Sequence, residues 1–198
     1  MRSLPLLSLC VLITSPLAQA HTGVDAGQHH EAFMLGLLHP LGGIDHISAA
    51  IAVGLWGALF CPRAWMAPAI FVFSMALGAV LGFAGWQPQG LEWWIASSVL
   101  VLGALLVLGR WASARVALVL LAALAGANGL AHGGELMGAS SAWQTLTGLV
   151  LSTALMHALG VIVSQRLLQQ RVGLQRMLGI ALGLLGATLM VLTSAGAA

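Results

Sequence analysis

The sequence contains no lysine and no tyrosine, and charged residues make up only 6% of its 198 positions. Soluble domains carry about 25% charged residues, so this composition excludes an ordinary soluble domain, and nucleic acid is not expected as a partner. Hydrophobic residues instead account for 60% of the chain. The composition is typical of a membrane protein, with room for one compact helical bundle in the lipid bilayer.

Cysteine is also scarce, since the chain has only Cys10 and Cys61. The first twenty residues resemble a secretory signal peptide, with Arg2, an apolar stretch over 4–13 and a small-x-small cleavage site ending at Ala20. We expect cleavage there, and an uncleaved first helix is the alternative. Cys10 would leave with the signal, so the mature chain could form no intrachain disulfide.

Residues 21–30 are polar and are expected to form an exposed tail, whereas residues 31–198 form the transmembrane domain. A helical span needs about 20 apolar residues. Six segments are long enough, and short connections between them predict an antiparallel bundle. The predicted spans are 31–60, 64–85, 91–109, 113–137, 142–164 and 174–195.

The arginines predict how the bundle is oriented. All six arginines of the mature chain lie at the first, third and fifth connections: Arg63, Arg110, Arg115, Arg166, Arg171 and Arg176. The positive-inside rule places these connections in the cytoplasm. Both termini are then expected outside, in the periplasm of a bacterium, with the protein in the inner membrane.

The six predicted spans can be divided into two halves of opposite topology, which suggests a three-plus-three inverted repeat. Each half opens with a span that contains a glycine pair, Gly42-Gly43 or Gly133-Gly134, beside an acidic residue. Paired interrupted helices mark the binding site in many transporters. The alternative is that these glycines only permit close packing of helices.

Two polar stretches lie inside these apolar spans. The first is His39-Pro-Leu-Gly-Gly-Ile-Asp45-His46, and the second contains Asn128, His132 and Glu135. Ionisable groups within a membrane usually face a partner, a cavity or an ion. Imidazole and carboxylate both bind divalent first-row metals, so we predict that the two stretches meet at a metal site.

Helix geometry predicts the depths of these groups. On a continuous first span, His39 and His46 lie roughly 12 and 22 Å from the outer end. His132 lies within about 10 Å of the same surface, and His157 lies roughly at the level of His46. Pro40 and the adjacent glycines favour a bend, which would bring His39, Asp45 and His46 closer together.

Structural interpretations stay open for several of these residues. His157 is predicted either to bond neighbouring helices together or to ligate the metal. His21, His29 and His30 are predicted either to capture metal outside the membrane or to be ordinary solvated residues. The predicted cluster could itself be a hydrogen-bonded structural network, formed by His39, Asp45, His46, His132 and Glu135.

The stretch from His39 to His46 resembles the first signature of the HupE/UreJ family of nickel/cobalt permeases. Ala-His132-Gly-Gly-Glu135 is similar to the end of that family's second signature. The second signature often begins Phe-His-Ala, whereas this chain has Asn128 in place of the upstream histidine. An amide carbonyl is a weaker ligand than imidazole. The resemblance covers the whole mature chain.

The resemblance implies a permease that carries Ni²⁺ or Co²⁺ to the cytoplasm for hydrogenase or urease. The metal would be its substrate, and no prosthetic group is expected. The sequence has no phosphate-binding loop, so ATP hydrolysis by this chain is not expected. One alternative is a zinc-dependent intramembrane hydrolase that uses His39, His46 and His132 as ligands and Glu135 as base. Another is a cytochrome subunit with His132 and His157 as axial haem ligands.

Overall fold

The computed structural model describes residues 25–137, 139 and 141–195. The predicted signal peptide and His21 lie outside these residues. The described part of the chain is helical and contains no strand. Its α-helices are α1 (Asp25–Leu38), α2 (Ile44–Phe60), α3 (Met66–Phe83), α4 (Leu91–Leu108), α5 (Ala114–Glu135), α6 (Ala142–Val163) and α7 (Val172–Ser194).

Helices α3 to α7 are each long and apolar enough to cross a membrane, whereas α1 and α2 pass this test only as a pair. The protein is therefore an all-α, multi-pass membrane protein. Large apolar side chains cover the outside of the bundle, as lipid requires. Highly exposed examples are Leu35, Phe73, Val119, Leu155 and Leu184.

The first predicted span is broken. A short 3₁₀ helix, His39–Gly42, follows α1, and Gly43 is extended before α2 begins. The axes on either side of this break differ by 85°. Pro40 lies in the first turn of the 3₁₀ helix, where its missing N–H costs no hydrogen bond, and the glycine pair permits the change of direction. The predicted depths of 12 and 22 Å assumed a continuous helix, so the predicted difference in depth between His39 and His46 was wrong.

Helix α1 also begins earlier than expected. Residues 25–30, which were predicted to belong to an exposed tail, form its first turns, and His29 and His30 are exposed. The glycine pair in α5 behaves differently from that in the first span, because Gly133 and Gly134 continue the helix to Glu135. That part of the argument for an inverted repeat was therefore wrong, and the repeat itself stays a prediction.

Close helix pairs build the bundle: α3 with α5, α4 with α7, and α6 with both α1 and α2. A core of large apolar side chains joins these pairs, including Trp56, Leu102 and Leu121. The first, third and fifth connections meet at one end, where Phe60, Arg110 and Arg176 line a common pocket. We call this the arginine end; the proposed metal ligands lie at the opposite end.

Candidate metal centre

Three histidines from separate parts of the chain meet near the arginine-free end of the bundle. His39 follows α1, His46 lies in the first turn of α2, and His132 lies in the last turn of α5. Their ring centroids are 5.0 to 5.9 Å apart. One ring nitrogen from each lies within 4.8 Å of the other two.

These separations suit a transition metal after small movements. Metal–nitrogen bonds of about 2.0–2.1 Å place neighbouring ligand nitrogens about 3 Å apart. Side-chain rotations that move the ligand nitrogens inward by about one to two ångströms, on the order of a single rotamer adjustment, therefore bring them to this spacing. His39 is exposed, His46 is half-buried and His132 is buried, so the cluster connects the outer surface to the interior.

The break between α1 and α2 is what brings His39 to His46. Helix α1 is held against α6 at Gly36, where a side chain would collide with the Thr145 carbonyl. On α2, Gly43 precedes the first turn and faces Asp45 and His46. The chain turns by 85° between α1 and α2, and the ring centroids of His39 and His46 lie 5.9 Å apart.

His132 is positioned by the packing of α5 against α3. A Cβ atom on Gly133 would lie 2.7 Å from the carbonyl carbon of Ala79, so the backbones touch there. Because neighbouring helical residues point about 100° apart, the contact at Gly133 places His132 to one side of the surface that packs on α3. There it lines a cavity together with Phe71 and Met75 of α3. Asn128 lies one turn earlier on the same side of α5 as His132.

Both predicted acidic ligands contact imidazoles. Asp45 Oδ2 lies 3.2 Å from His46 Nδ1, and Glu135 Oε2 lies 3.7 Å from His132 Nδ1. Carboxylates in this position fix the orientation of metal-binding histidines and make their other nitrogen more basic. The arrangement favours an orienting role for Asp45 and Glu135, and direct ligation by either stays a prediction.

A cavity of about 40 Å³ lies beneath the histidine cluster. A volume of 10–15 Å³ holds one water molecule, so the cavity has room for an ion with little of its hydration shell. Asn128 lines it and donates its side-chain N–H to the Leu124 carbonyl at 2.9 Å, a bond that does not use its amide oxygen. The other polar lining residues are Asp45, His46, Ser98, His132 and Thr153.

A second pocket, of about 330 Å³, lies on the other side of Asp45. Glu92, in the first turn of α4, lines this pocket with Asp45. Two carboxylates in one concave pocket attract cations. Sequence reasoning missed Glu92, and the available signal was that only five acidic residues occur in the chain.

His157 is not part of the histidine cluster. It is fully buried, its Nδ1 donates to the Ala50 carbonyl at 2.6 Å, and its ring packs edge-on against Phe71. Ala50 lies one turn beyond His46, so His157 is deeper than the site. In this structure it bonds α2 to α6.

The two described tail histidines are separate from the cluster as well. His29 and His30 lie on the exposed side of α1, and the Gln144 side-chain amide donates to His29 Nδ1 at 3.0 Å. Metal capture by these residues stays a prediction, and His21 lies outside the described residues.

Together these features define a multi-pass helical membrane protein with a cluster of three histidine nitrogen donors near one end of its bundle. The chain belongs to the HupE/UreJ family. The family model, described as HupE / UreJ protein, matches residues 9–189. Protein HupE of Rhizobium leguminosarum bv. viciae is 34% identical over 186 residues, covering 93% of this chain and 95% of that protein. No solved structure matches the chain.

Proposed function

We propose that this protein is an inner-membrane permease that moves Ni²⁺ or Co²⁺ from the periplasm to the cytoplasm. The metal supplied in this way serves the maturation of hydrogenase or urease. The arginine end then faces the cytoplasm, and the histidine cluster receives metal from the periplasmic side.

One observation carries this proposal: three imidazoles converge inside a membrane bundle, above a cavity that leads inward. Neutral nitrogen donors with nearby carboxylates suit a borderline divalent metal such as nickel or cobalt. Family membership supports the same substrate class. The pocket with Asp45 and Glu92 provides an approach from outside, because its carboxylates draw cations toward the histidines.

The arrangement favours transport over the alternative of a zinc-dependent hydrolase. A His₃ site with Glu135 beside it has the groups that metal-assisted hydrolysis needs. The cavity of about 40 Å³ nevertheless has no room for a peptide or lipid substrate. Hydrolysis of lipid or peptide by the purified, metal-loaded protein would favour the enzyme instead.

The test is nickel uptake by cells that lack other high-affinity nickel transporters. Replacing His39, His46 or His132 by Ala should each lower uptake by about tenfold or more, since each removes a ligand. Immunoblots of membranes should show unchanged protein levels. His30→Ala, measured at saturating nickel, is the matched control on the exposed side of α1. Normal uptake in both His46→Ala and His132→Ala would contradict the proposal.

A further inference from the structure

One side of α2 runs from the histidine cluster to the arginine end. His46, Ala50, Val53, Trp56 and Phe60 follow one another at intervals of three or four residues, so they share this side. His46 and Ala50 line the cavity beneath the cluster, and Phe60 lines a pocket of about 470 Å³ at the arginine end. Val53 and Trp56 lie between the two spaces and are fully buried.

A parallel row of polar residues follows α6. Thr153 lines the cavity, His157 lies one turn deeper, and Ser164 lies two turns beyond His157. The hydrogen bond between His157 and Ala50 fixes the register of this row against α2. Gln169, a short distance beyond Ser164, lines the pocket at the arginine end. The row therefore joins the same two spaces as α2 does.

Three buried polar atoms in this region have no hydrogen-bond partner among the described residues: Trp56 Nε1, His157 Nε2 and Ser164 Oγ. Leaving a buried polar group unpaired costs folding free energy, most of all in lipid. All three atoms belong to the facing helices α2 and α6 or to the turn that directly follows α6. Such a concentration indicates a region that has another, hydrated or metal-bound arrangement.

His157 has the protonation that a metal ligand needs. Because the Ala50 carbonyl can only accept, the proton of the neutral ring lies on Nδ1. The lone pair is then on Nε2, the atom without a partner. A backbone carbonyl that accepts from the opposite ring nitrogen is a common way to orient a metal-binding histidine.

Helices α2 and α6 approach each other closely. Gly54 and Gly160 face each other there, and a Cβ on Gly160 would lie 3.0 Å from Gly54 Cα. Glycines at a helix contact let the two backbones approach, so a path between α2 and α6 requires the two helices to move apart. At the arginine end α6 continues into a π-helix, Ser164–Leu168, a local irregularity that is frequent at functional sites.

We propose that metal passes inward between α2 and α6, with His157 Nε2 as a second, inner metal-binding position and Trp56 as the side chain that closes the path. The inference rests on the proposed function. The ion leaves the three-histidine site through the cavity and binds His157 as the helices separate. Trp56 then moves aside, and the ion reaches the pocket at the arginine end past Ser164.

The first experiment separates nickel binding from transport in purified protein. Asparagine at position 157 keeps an amide donor near the Ala50 carbonyl but removes Nε2. His157→Asn should bind nickel with an affinity within about twofold of the native protein, because the three-histidine site is intact. Maximal uptake into proteoliposomes should nevertheless fall about tenfold. A maximal rate within about twofold of native would overturn the proposal. An equal loss of nickel binding would also overturn the proposal, because His157 would then belong to the three-histidine site.

The second experiment removes the other unpaired atoms. Ser164→Ala should leave the thermal midpoint unchanged or higher, since it deletes a buried polar group without a partner. Trp56→Phe also leaves a cavity in the core and should lower the midpoint. A purely structural region would transport normally. The proposed path instead predicts a maximal rate lower by about threefold or more for Ser164→Ala, and higher by about threefold or more for Trp56→Phe, whose smaller ring obstructs the path less. Ser194→Ala and Trp65→Phe are the exposed controls. Normal rates in both test variants contradict the path.

The native protein distinguishes this inference from the proposed function. Failure of native protein to move nickel or cobalt would overturn both. If the native protein transports nickel or cobalt and the His157→Asn, Ser164→Ala and Trp56→Phe variants transport it equally well, only the inner path is overturned.

Discussion

Asp45 Oδ2 lies 3.2 Å from His46 Nδ1, so a carboxylate contacts one of the three clustered imidazoles directly. The carboxylate accepts the Nδ1 proton and leaves Nε2 of His46 free for a metal. Asp45 also lies between the cavity beneath the histidine cluster and the second pocket, of about 330 Å³, since it lines both. In the proposed metal site, Asp45 would therefore both orient the His46 imidazole and place a negative charge beside the histidines.

We expect Asp45→Asn to weaken nickel binding, because the neutral amide holds the imidazole less firmly and supplies no charge. Removing a partner of this kind typically lowers metal affinity by about 10- to 100-fold. Isothermal titration of the purified protein measures the change. Glu31→Gln, which neutralises an exposed acid on α1, is the control and should bind as the native protein does. Equal affinities in the two variants would show that Asp45 does not support the site.

Two glycines provide a test of how α5 is packed. A side chain at Gly133 would meet the backbone of Ala79, whereas one at Gly183 on α7 has open space around it. Gly133→Ala should destabilise the protein by about 1–3 kcal/mol through overpacking. Gly183→Ala should be neutral or stabilise it by up to about 1 kcal/mol, because alanine favours helix.

Thermal unfolding in detergent measures both changes, and nickel binding gives a second readout. The Gly133→Ala protein should also bind nickel more weakly, since its backbone shift moves His132. Similar stabilities for the two variants would contradict the close approach of α5 and α3.

The spans and the meeting of the two polar stretches could be predicted from the sequence. Long apolar runs specify where helices lie, and the boundaries of α3 to α7 agree with the prediction within three residues. The cost of ionisable groups in lipid indicates that they lie together. His39, His46 and His132 accordingly form a cluster.

Positions within the site could not be predicted to the same degree, because they depend on one local break. A straight helix separates His39 from His46 by two turns, and the 85° bend brings their rings to 5.9 Å. Nothing in the periodicity specifies that angle, which follows from how α1 packs on α6. The contact of His157 with Ala50 likewise depends on tertiary packing.

The histidines near the N-terminus give a prediction about low nickel concentrations. Replacing His21, His29 and His30 by Ala together should lower uptake at limiting nickel and leave the maximal rate unchanged, if they capture metal outside. Substitution is preferable to deleting residues 21–30, because a deletion removes the first turns of α1. Gln144→Ala is the control, since it removes only the contact to His29. An equal loss at every nickel concentration would indicate misfolding instead.

The last prediction concerns pH and is best measured in the protein in which His21, His29 and His30 are replaced by Ala. Imidazole binds metal only when neutral, so protons compete with nickel at each histidine ligand. A free imidazole has a pKa of about 6.5, so lowering the outside pH from 7 to 5.5 favours the protonated form, which cannot bind metal. The apparent KM for nickel should therefore rise over this range, while the maximal rate changes less. Initial uptake rates at fixed inside pH measure both quantities. An apparent KM that stays flat would show that histidines do not dominate the outward-facing site, and faster uptake at acidic pH would indicate proton-driven symport.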